Sequence, residues 1–429
     1  MLRVFGPSDL ERIKLLDDPQ AIQPAEGGTM KHHCKLALLM AMAVLSAGVL
    51  AAQQSGQNLS SGLTAPAASW SQYGFLAGHS SFNQTESTLT RANVSGLTWK
   101  WAGEVGAPTA SAPVVGQGIV YVAAGGMIFA FQASDGAPLW SHLSCSGVDT
   151  VQAALGAQAL LVGDGGGDLA AYDPITGGQI WCRDEGGSII SAPAVEGTTV
   201  YITNGASVIA VDQLTGNQQW RFTPSDLSPV TNTPAVSHQV VYVTGGRSVF
   251  ALSKPTGRQL WRTDLEAFPF QIVSAPSVAG NTVYVGGVSL YALRASNGSL
   301  LWTQRTAGVN LTMPTIAGGK VFVNSQDPAF GLWAFDATSG AFLWQDRLTG
   351  ESSATVTVAN GVVFEIGEGG SLAMFDSGTG VLLGSVSDPD GRQLNSFFRS
   401  QPVVVDGTVY VPTADYWLGS NRVDAFRLP

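Results

Sequence analysis

Charged residues are scarce in this chain: they fill 12% of 429 positions, while 45% are hydrophobic. That is about half the usual charged share, and it excludes intrinsic disorder for the bulk of the chain, which needs the opposite balance. The net charge is −10, and no run of Lys or Arg interrupts it. A nucleic-acid partner is thereby excluded, because the body would repel a phosphate backbone. Cysteine is nearly absent, with three in all, and no CxxCH haem motif occurs. There is no GxSxG nucleophile elbow, and no stretch sustains the 3.6-residue apolar period of a packed helix.

Long apolar runs are missing too, with one short exception. Met30 opens Lys31, His32, His33, Cys34, Lys35, followed by a mostly apolar stretch from Leu36 to Leu50 and then Ala51, Ala52, Gln53. Fifteen mostly small apolar residues without a following stop-transfer charge are short for a bilayer span. They match the n-region, h-region and small-residue cleavage site of a secretory signal peptide, cleaved after Ala51 or Ala52. Residues 1–29 carry mixed charge and no apolar period, and read as an extension produced by a start codon placed too far upstream; a cytoplasmic extension is the alternative. The expected organisation is therefore an extension at 1–29, a signal peptide at 30–52, a Ser/Gly/Ala-rich linker at 53–69 and one domain at 70–429. The mature chain is expected to be a soluble monomer, periplasmic or secreted, without a transmembrane span. Cys145 and Cys182 remain in it. In an oxidising compartment they pair or stay as buried thiols, and their Cα separation, which decides, is not readable from sequence.

What is abundant is punctuation and aromatic bulk: 52 Gly, 21 Pro, 11 Trp, 18 Phe and 9 Tyr. Tryptophan recurs at Trp101, Trp140, Trp181, Trp220, Trp261, Trp302 and Trp344, at intervals of 39 to 42 residues. A further step reaches Gly384, where the frame persists without the indole. Ala130, Ala171, Ala210, Ala251, Ala292 and Ala334 each precede their tryptophan by ten residues, and Gly136, Gly177, Gly216, Gly257, Gly298 and Gly340 by four. Such a period is internal repetition and sets the fold.

Within Ser191 to Trp220 the unit reads as four strands. Ser191 to Val195 is a short strand, Val200-Tyr201-Ile202 a β-branched and aromatic one. Asn204-Gly205 is a hairpin signal before Val208 to Asp212, and Thr215-Gly216 turns the chain into Gln218-Gln219-Trp220. Four antiparallel strands in about forty residues, repeated, predict β-propeller blades. Second-strand copies occur eight times, from Val120-Tyr121-Val122 to Val409-Tyr410-Val411. The last unit ends one strand short, while Leu97 to Trp101 is a surplus fourth strand. The expected fold is all-β: an eight-bladed β-propeller of four-stranded antiparallel blades, closed by an N-terminal strand that completes the last blade and removes a sheet edge. Each repeated tryptophan is expected to lie across the seam between blades, its N–H on a carbonyl of the next unit.

These residues carry a family resemblance. Ala171-Tyr-Asp173-Pro-Ile-Thr176-Gly177 through Trp181, and Ala210-Val-Asp212-Gln-Leu-Thr215-Gly216 through Trp220, match the AxDxxTGxxxW repeat of pyrroloquinoline quinone (PQQ)-like propellers. The opening, Trp70-Ser-Gln-Tyr73-Gly74, Asn83 and Asn93-Val94 through Trp101, resembles the start of quinoprotein dehydrogenases. The resemblance implies the fold over residues 70–429. It leaves activity open, since the same repeat builds BamB-type assembly proteins and binding propellers as well as enzymes.

A quinoprotein alcohol dehydrogenase would imply PQQ, a calcium ion held by a carboxylate and an amide, an aspartate base and adjacent cysteines. None of those residues can be carried onto this chain. Its short units leave no room for the insertions that supply them, and Cys145 and Cys182 are not adjacent. Asp164 to Asp168 reads as a hairpin turn. Asp173, Asp212, Asp336 and Asp376 recur at one repeat position as turn caps. His79, His142 and His238 lack a second ligand at metal spacing and are expected to be solvent-facing loop residues, so no metal set is expected. Function is expected instead on the irregular loops between units, which hold Asp226, Asn232, Glu266, Phe268, Phe270 and Asn310. The longest carries Asp388, Asp390, Arg392, Phe397, Phe398 and Arg399, the candidate binding face. The favoured expectation is a non-catalytic binding or scaffold propeller for a protein or polymeric ligand; the alternative is a PQQ-dependent dehydrogenase of alcohols or sugars.

Overall fold

The computed structural model describes residues 69–429 apart from 107–110, 150–151, 190, 227, 267–272, 307–310, 326–330, 348–351, 368–369, 395–399 and 415–420. The expected extension, signal peptide and nearly all of the linker lie outside the described residues. Eight four-stranded antiparallel sheets follow one another. In blade one the strands run, from inner to outer, Val114–Gly116, Ile119–Ala124, Met127–Gln132 and Pro138–Leu143. Blades two to seven repeat this order through Leu382–Ser387. Blade eight takes Val403–Val405, Thr408–Ala414 and Arg422–Arg427 from the C-terminal end, and its outer strand, Thr98–Glu104, from the N-terminal side. Among the described residues the helical content is one 3-10 turn, Val94–Gly96, and no helix is long and apolar enough to cross a membrane.

The ten-residue alanine-to-tryptophan spacing is a cross-strand pair. Ala130 faces Trp140, Ala210 faces Trp220 and Ala425 faces Trp101, each pair beside a one-residue bulge in the outer strand. The indole then reaches the next blade. Trp220 Nε1 donates to Lys254 O at 2.8 Å, Trp261 to Ala295 O at 2.9 Å and Trp344 to Ser377 O at 3.3 Å. The second-strand aromatics pack beside the rings, with Tyr242 5.9 Å from Trp261 and Phe322 5.8 Å from Trp344, centroid to centroid. The face of each ring lies on the turn glycine of the neighbouring blade. A Cβ on Gly257, whose φ is +67°, would stand 2.5 Å from Trp220 Cε3. Glycine is required there twice over, for the left-handed backbone and for the close approach. Seams of buried Val, Leu, Ile and Tyr fill the space between neighbouring sheets.

Residues 70–83 take a path that no local pattern marks. They wind around the axis and bond to one residue of every inner strand in blade order. Trp70 and Val115 exchange backbone hydrogen bonds, and Leu155 N donates to Ser71 O. The Gln72 side chain both donates to and accepts from Val195. Val236, Val278, Ile316 and Val358 donate to the carbonyls of Ala77, Gly78, Ser80 and Ser81, and Asn83 Nδ2 reaches Val404 O at 2.7 Å. Inner strands facing a common axis have unpaired edges, and one peptide hydrogen-bonds to all eight.

Trp220→Ala should lower stability by about 3–5 kcal/mol, the cost of a large buried ring and its hydrogen bond. Gly257→Ala should cost clearly more than Gly280→Ala. Both glycines have positive φ, but a Cβ on Gly280 meets nothing within 4 Å, leaving only the left-handed penalty of about 1–2 kcal/mol. Urea-denaturation midpoints of the three variants check the order.

Candidate functional site

Among the described residues of the loops that lead from an outer strand to the next inner strand, several side chains are bound to partners within the chain. Asp226 pairs with Arg262 at 2.7 Å, and the hydrogen bond from that guanidinium, with help from Ser228, holds its carboxyl down at about 2. Glu266 pairs with Arg305 at 3.2 Å. Asn232 Nδ2 donates to Thr244 Oγ1 and Val273 O. Phe268, Phe270 and Asn310 lie outside the described residues.

The long loop into blade eight divides in two. Asp388 has a fully buried side chain and pairs with Arg422. Arg422, 4% exposed, also reaches Asp390 Oδ2 at 2.9 Å, Asp424 Oδ1 at 3.1 Å and Glu104 Oε1 at 3.9 Å. Trp99 Nε1 donates to Asp424 at 2.8 Å. Burial opposes the Arg422 charge, but Asp424, Asp390 and Asp388 outweigh it and raise its pKa further. This buried network clamps the loop onto both the last strand and the closing strand. Asp390 and Glu104 remain more than half exposed, and Arg392 sits beside Glu104 at 3.4 Å. Of the six loop residues singled out from the sequence, Asp388 is therefore an internal anchor, Asp390 and Arg392 stand at the surface, and Phe397, Phe398 and Arg399 lie outside the described residues. Arg422, Asp424 and Trp99 were missed, because nothing in an isolated Arg-Val-Asp marks it as the hub of a network.

At the axis, Tyr73 packs with Ala192, Ala275 and Met313, and its hydroxyl lies 3.1 Å from Thr355 Oγ1. Gln401 Oε1 accepts from Gly74 N. His79 corrects an expectation: it is not a solvent-facing loop residue but fully buried, edge-on to Tyr73 at 5.6 Å. The axial path carries it inward, and Nδ1 donates to Pro276 O at 3.0 Å. Burial lowers its pKa to about 4. Its Nε2, like both polar atoms of Gln152, is buried without a partner, an arrangement that suits an ordered water. His142 and His238 are exposed.

The recurring aspartates cap their turns. Asp173 Oδ1 accepts from the backbone N–H of Ile175 and Thr176 and from the Thr176 hydroxyl, which holds its carboxyl below the ordinary value. Asp212, Asp336 and Asp376 repeat the pattern. Asp164 accepts from Gly166 N and Asp168 N within its turn and from Ser146 N of the preceding blade. Cys145 and Cys182 are joined as a disulfide between blades one and two, with Cα atoms 6.4 Å apart.

A calcium-held quinone would need an amide oxygen beside a carboxylate near the axis. The amide oxygens of Gln72, Asn83, Asn204 and Gln401 already accept backbone N–H groups. Those buried without a partner, on Gln152, Gln213 and Asn324, belong to blades two, three and six and share no common site. The one set of three carboxylate, thiol or imidazole groups among the described residues whose ligand atoms all lie within 4.8 Å of one another is Cys145, Asp168 and Cys182. The described residues do not fit that cofactor.

Folded-state depression of the His79 pKa has a definite sign. Above pH 6.5 the residue is neutral folded and unfolded; below that the unfolded chain takes up a proton that the folded chain refuses until about pH 4. Stability should fall by up to about 3 kcal/mol across this window. His79→Asn, which tolerates the positive φ of this position, should remove that part of the acid dependence. Urea midpoints measured from pH 7 to 4 check it.

Comparison with known proteins agrees with this architecture. A family model described as outer membrane protein assembly factor BamB matches residues 52–244, 204–289 and 245–411. The serine/threonine-protein kinase AfsK of Streptomyces coelicolor is 34% identical over 225 residues, 49% of this chain and 28% of that protein, so the chain spans little more than a quarter of that relative. Among solved structures, quinohemoprotein alcohol dehydrogenase ADHIIG from Pseudomonas putida HK5 superposes with a TM-score of 0.68 at 16% identity, covering 84% of this chain and 80% of its own. BamB from Moraxella catarrhalis gives 0.61 at 16% identity, covering 76% and 97%. At such identity these structures share the fold.

Proposed function

Because the chain belongs to the family described as outer membrane protein assembly factor BamB, we propose that it is an exported, non-catalytic propeller that holds a protein or polymeric ligand on its loop face. The observation that carries this reading is the axial peptide. Residues 70–83 fill the centre of the ring and bond to every inner strand, so the axis is given over to bracing and the irregular loop end is the surface free to vary. There Asp390, Arg392 and Glu104 offer a mixed-charge rim, and the Phe397-Phe398-Arg399 segment follows Arg392 within a few residues. Aromatic and Arg side chains beside a polar rim are the composition of protein-binding hot spots. Residues 30–52 supply the export signal, and Ala52 or Gln53 begins the mature chain.

The test has two arms. A photo-crosslinking residue at position 390 should capture an envelope partner, and the same residue at Asp135, in a turn at the opposite end of the blades, should not. Arg392→Glu should weaken the capture. Titration of the purified mature protein with PQQ and calcium, followed by a dye-linked assay on an alcohol panel, should show neither binding nor turnover. Tight binding with turnover would replace this reading by the dehydrogenase one.

A further inference from the structure

The Asp168 carboxylate stands where a disulfide has no need of it. Its oxygen and the sulfurs of Cys145 and Cys182 all lie within 4.8 Å of one another, and all three residues are half-buried. Among the described residues this carboxylate accepts no hydrogen bond and forms no ion pair, although neighbouring Asp164 accepts three. The geometry points to a second state of this site: we propose that, once the disulfide is reduced, Cys145, Cys182 and Asp168 bind a zinc-class divalent cation.

The spacing suits such an ion. Tetrahedral zinc, with Zn–S of about 2.3 Å and Zn–O of about 2.1 Å, places its ligand atoms about 3.6–3.8 Å apart. The sulfurs must therefore separate after their bond breaks, and the carboxylate must close by about an ångström at most. The frame that holds the three groups does not depend on the S–S bond. Cys182 is paired with Ala170, and Asp184 with Asp168, across two strands of blade two. Cys145 lies between Ser144, whose N–H donates to Gly126 O, and Ser146, whose N–H donates to Asp164 Oδ2. Half-exposure leaves a fourth position for water, and two thiolates with a carboxylate are a donor set for zinc rather than for calcium or magnesium.

The chemistry balances simply. A dithiol reductant gives two electrons and two protons to the S–S bond and leaves as its own disulfide. The ion then displaces both thiol protons to solvent, and the Asp168 carboxylate completes the third protein bond. Loss of one covalent link between blades one and two is thereby exchanged for a metal link at the same place.

The test uses the mature protein, reduced with a phosphine, which takes its oxygen from water, and then freed of reductant. Reduced protein should bind one zinc ion per chain in competition with a chromophoric chelator, melt at higher temperature with zinc than without, and give a thiolate charge-transfer band with cadmium. Oxidised protein should do none of these. Asp168→Asn should weaken zinc binding by at least about tenfold, as loss of a ligand must exceed loss of a supporting contact, and Cys182→Ser should abolish the cadmium band. Unchanged affinity in Asp168→Asn, no band in reduced folded protein, or unfolding on reduction seen by circular dichroism would each overturn the proposal.

Discussion

A ring of separate sheets has an edge problem that a single sheet does not: every blade turns an unpaired inner strand toward the same axis. Backbone N–H and C=O groups left there without partners would each cost about 1–3 kcal/mol. In this protein one peptide, residues 70–83, answers all eight in sequence order. The same N-terminal stretch then continues through the Val94–Gly96 turn into Thr98–Glu104, the outer strand that completes blade eight. Inner edges and ring closure are thus satisfied by one contiguous segment. Its contacts span up to 329 positions in sequence, so the ring is sealed only when both ends of the domain are in place.

The exception in the repeat follows from this closure. Each tryptophan needs a turn glycine in the next blade to lie on. Blade eight has no such turn, because its outer strand arrives from the other end of the domain. Blade seven accordingly carries Gly384 where the others have tryptophan, and Met374 faces it where the others have alanine. The space is filled by the incoming N-terminal turn: a Cβ on Gly384 would stand 3.1 Å from Ser95. A small-for-large exchange on one strand is matched by a large-for-small exchange on its partner, which keeps the seam at packing density.

The same economy shapes the surface. Paired loop carboxylates such as Asp226 and Glu266, the capping aspartates and Asp388 are bound to partners within the chain, so most of the scarce charge serves the scaffold. What remains outward at the loop into blade eight is Asp390, Arg392 and Glu104, anchored from beneath by Arg422. A fold shared by enzymes and assembly factors does not by itself assign an activity.

The sequence by itself determined the blade. Alternating strands, turn glycines and the alanine-to-tryptophan spacing are local signals repeated eight times, and each reports a contact within a unit or across one seam. The count of eight and the strand exchange between the ends followed from the same period. The capping role of Asp173 and its repeats was legible because the partner groups lie two and three residues away. Only the tertiary structure decided the path of residues 70–83, the burial of His79, the bridge between Cys145 and Cys182 with Asp168 beside it, and the Arg422 network. Those depend on partners brought together from distant blades, and His79 and Arg422 look in the sequence like any isolated polar residue. A period encodes the neighbour one repeat away; the axis and the closing seam belong to no single repeat, so no local pattern records them.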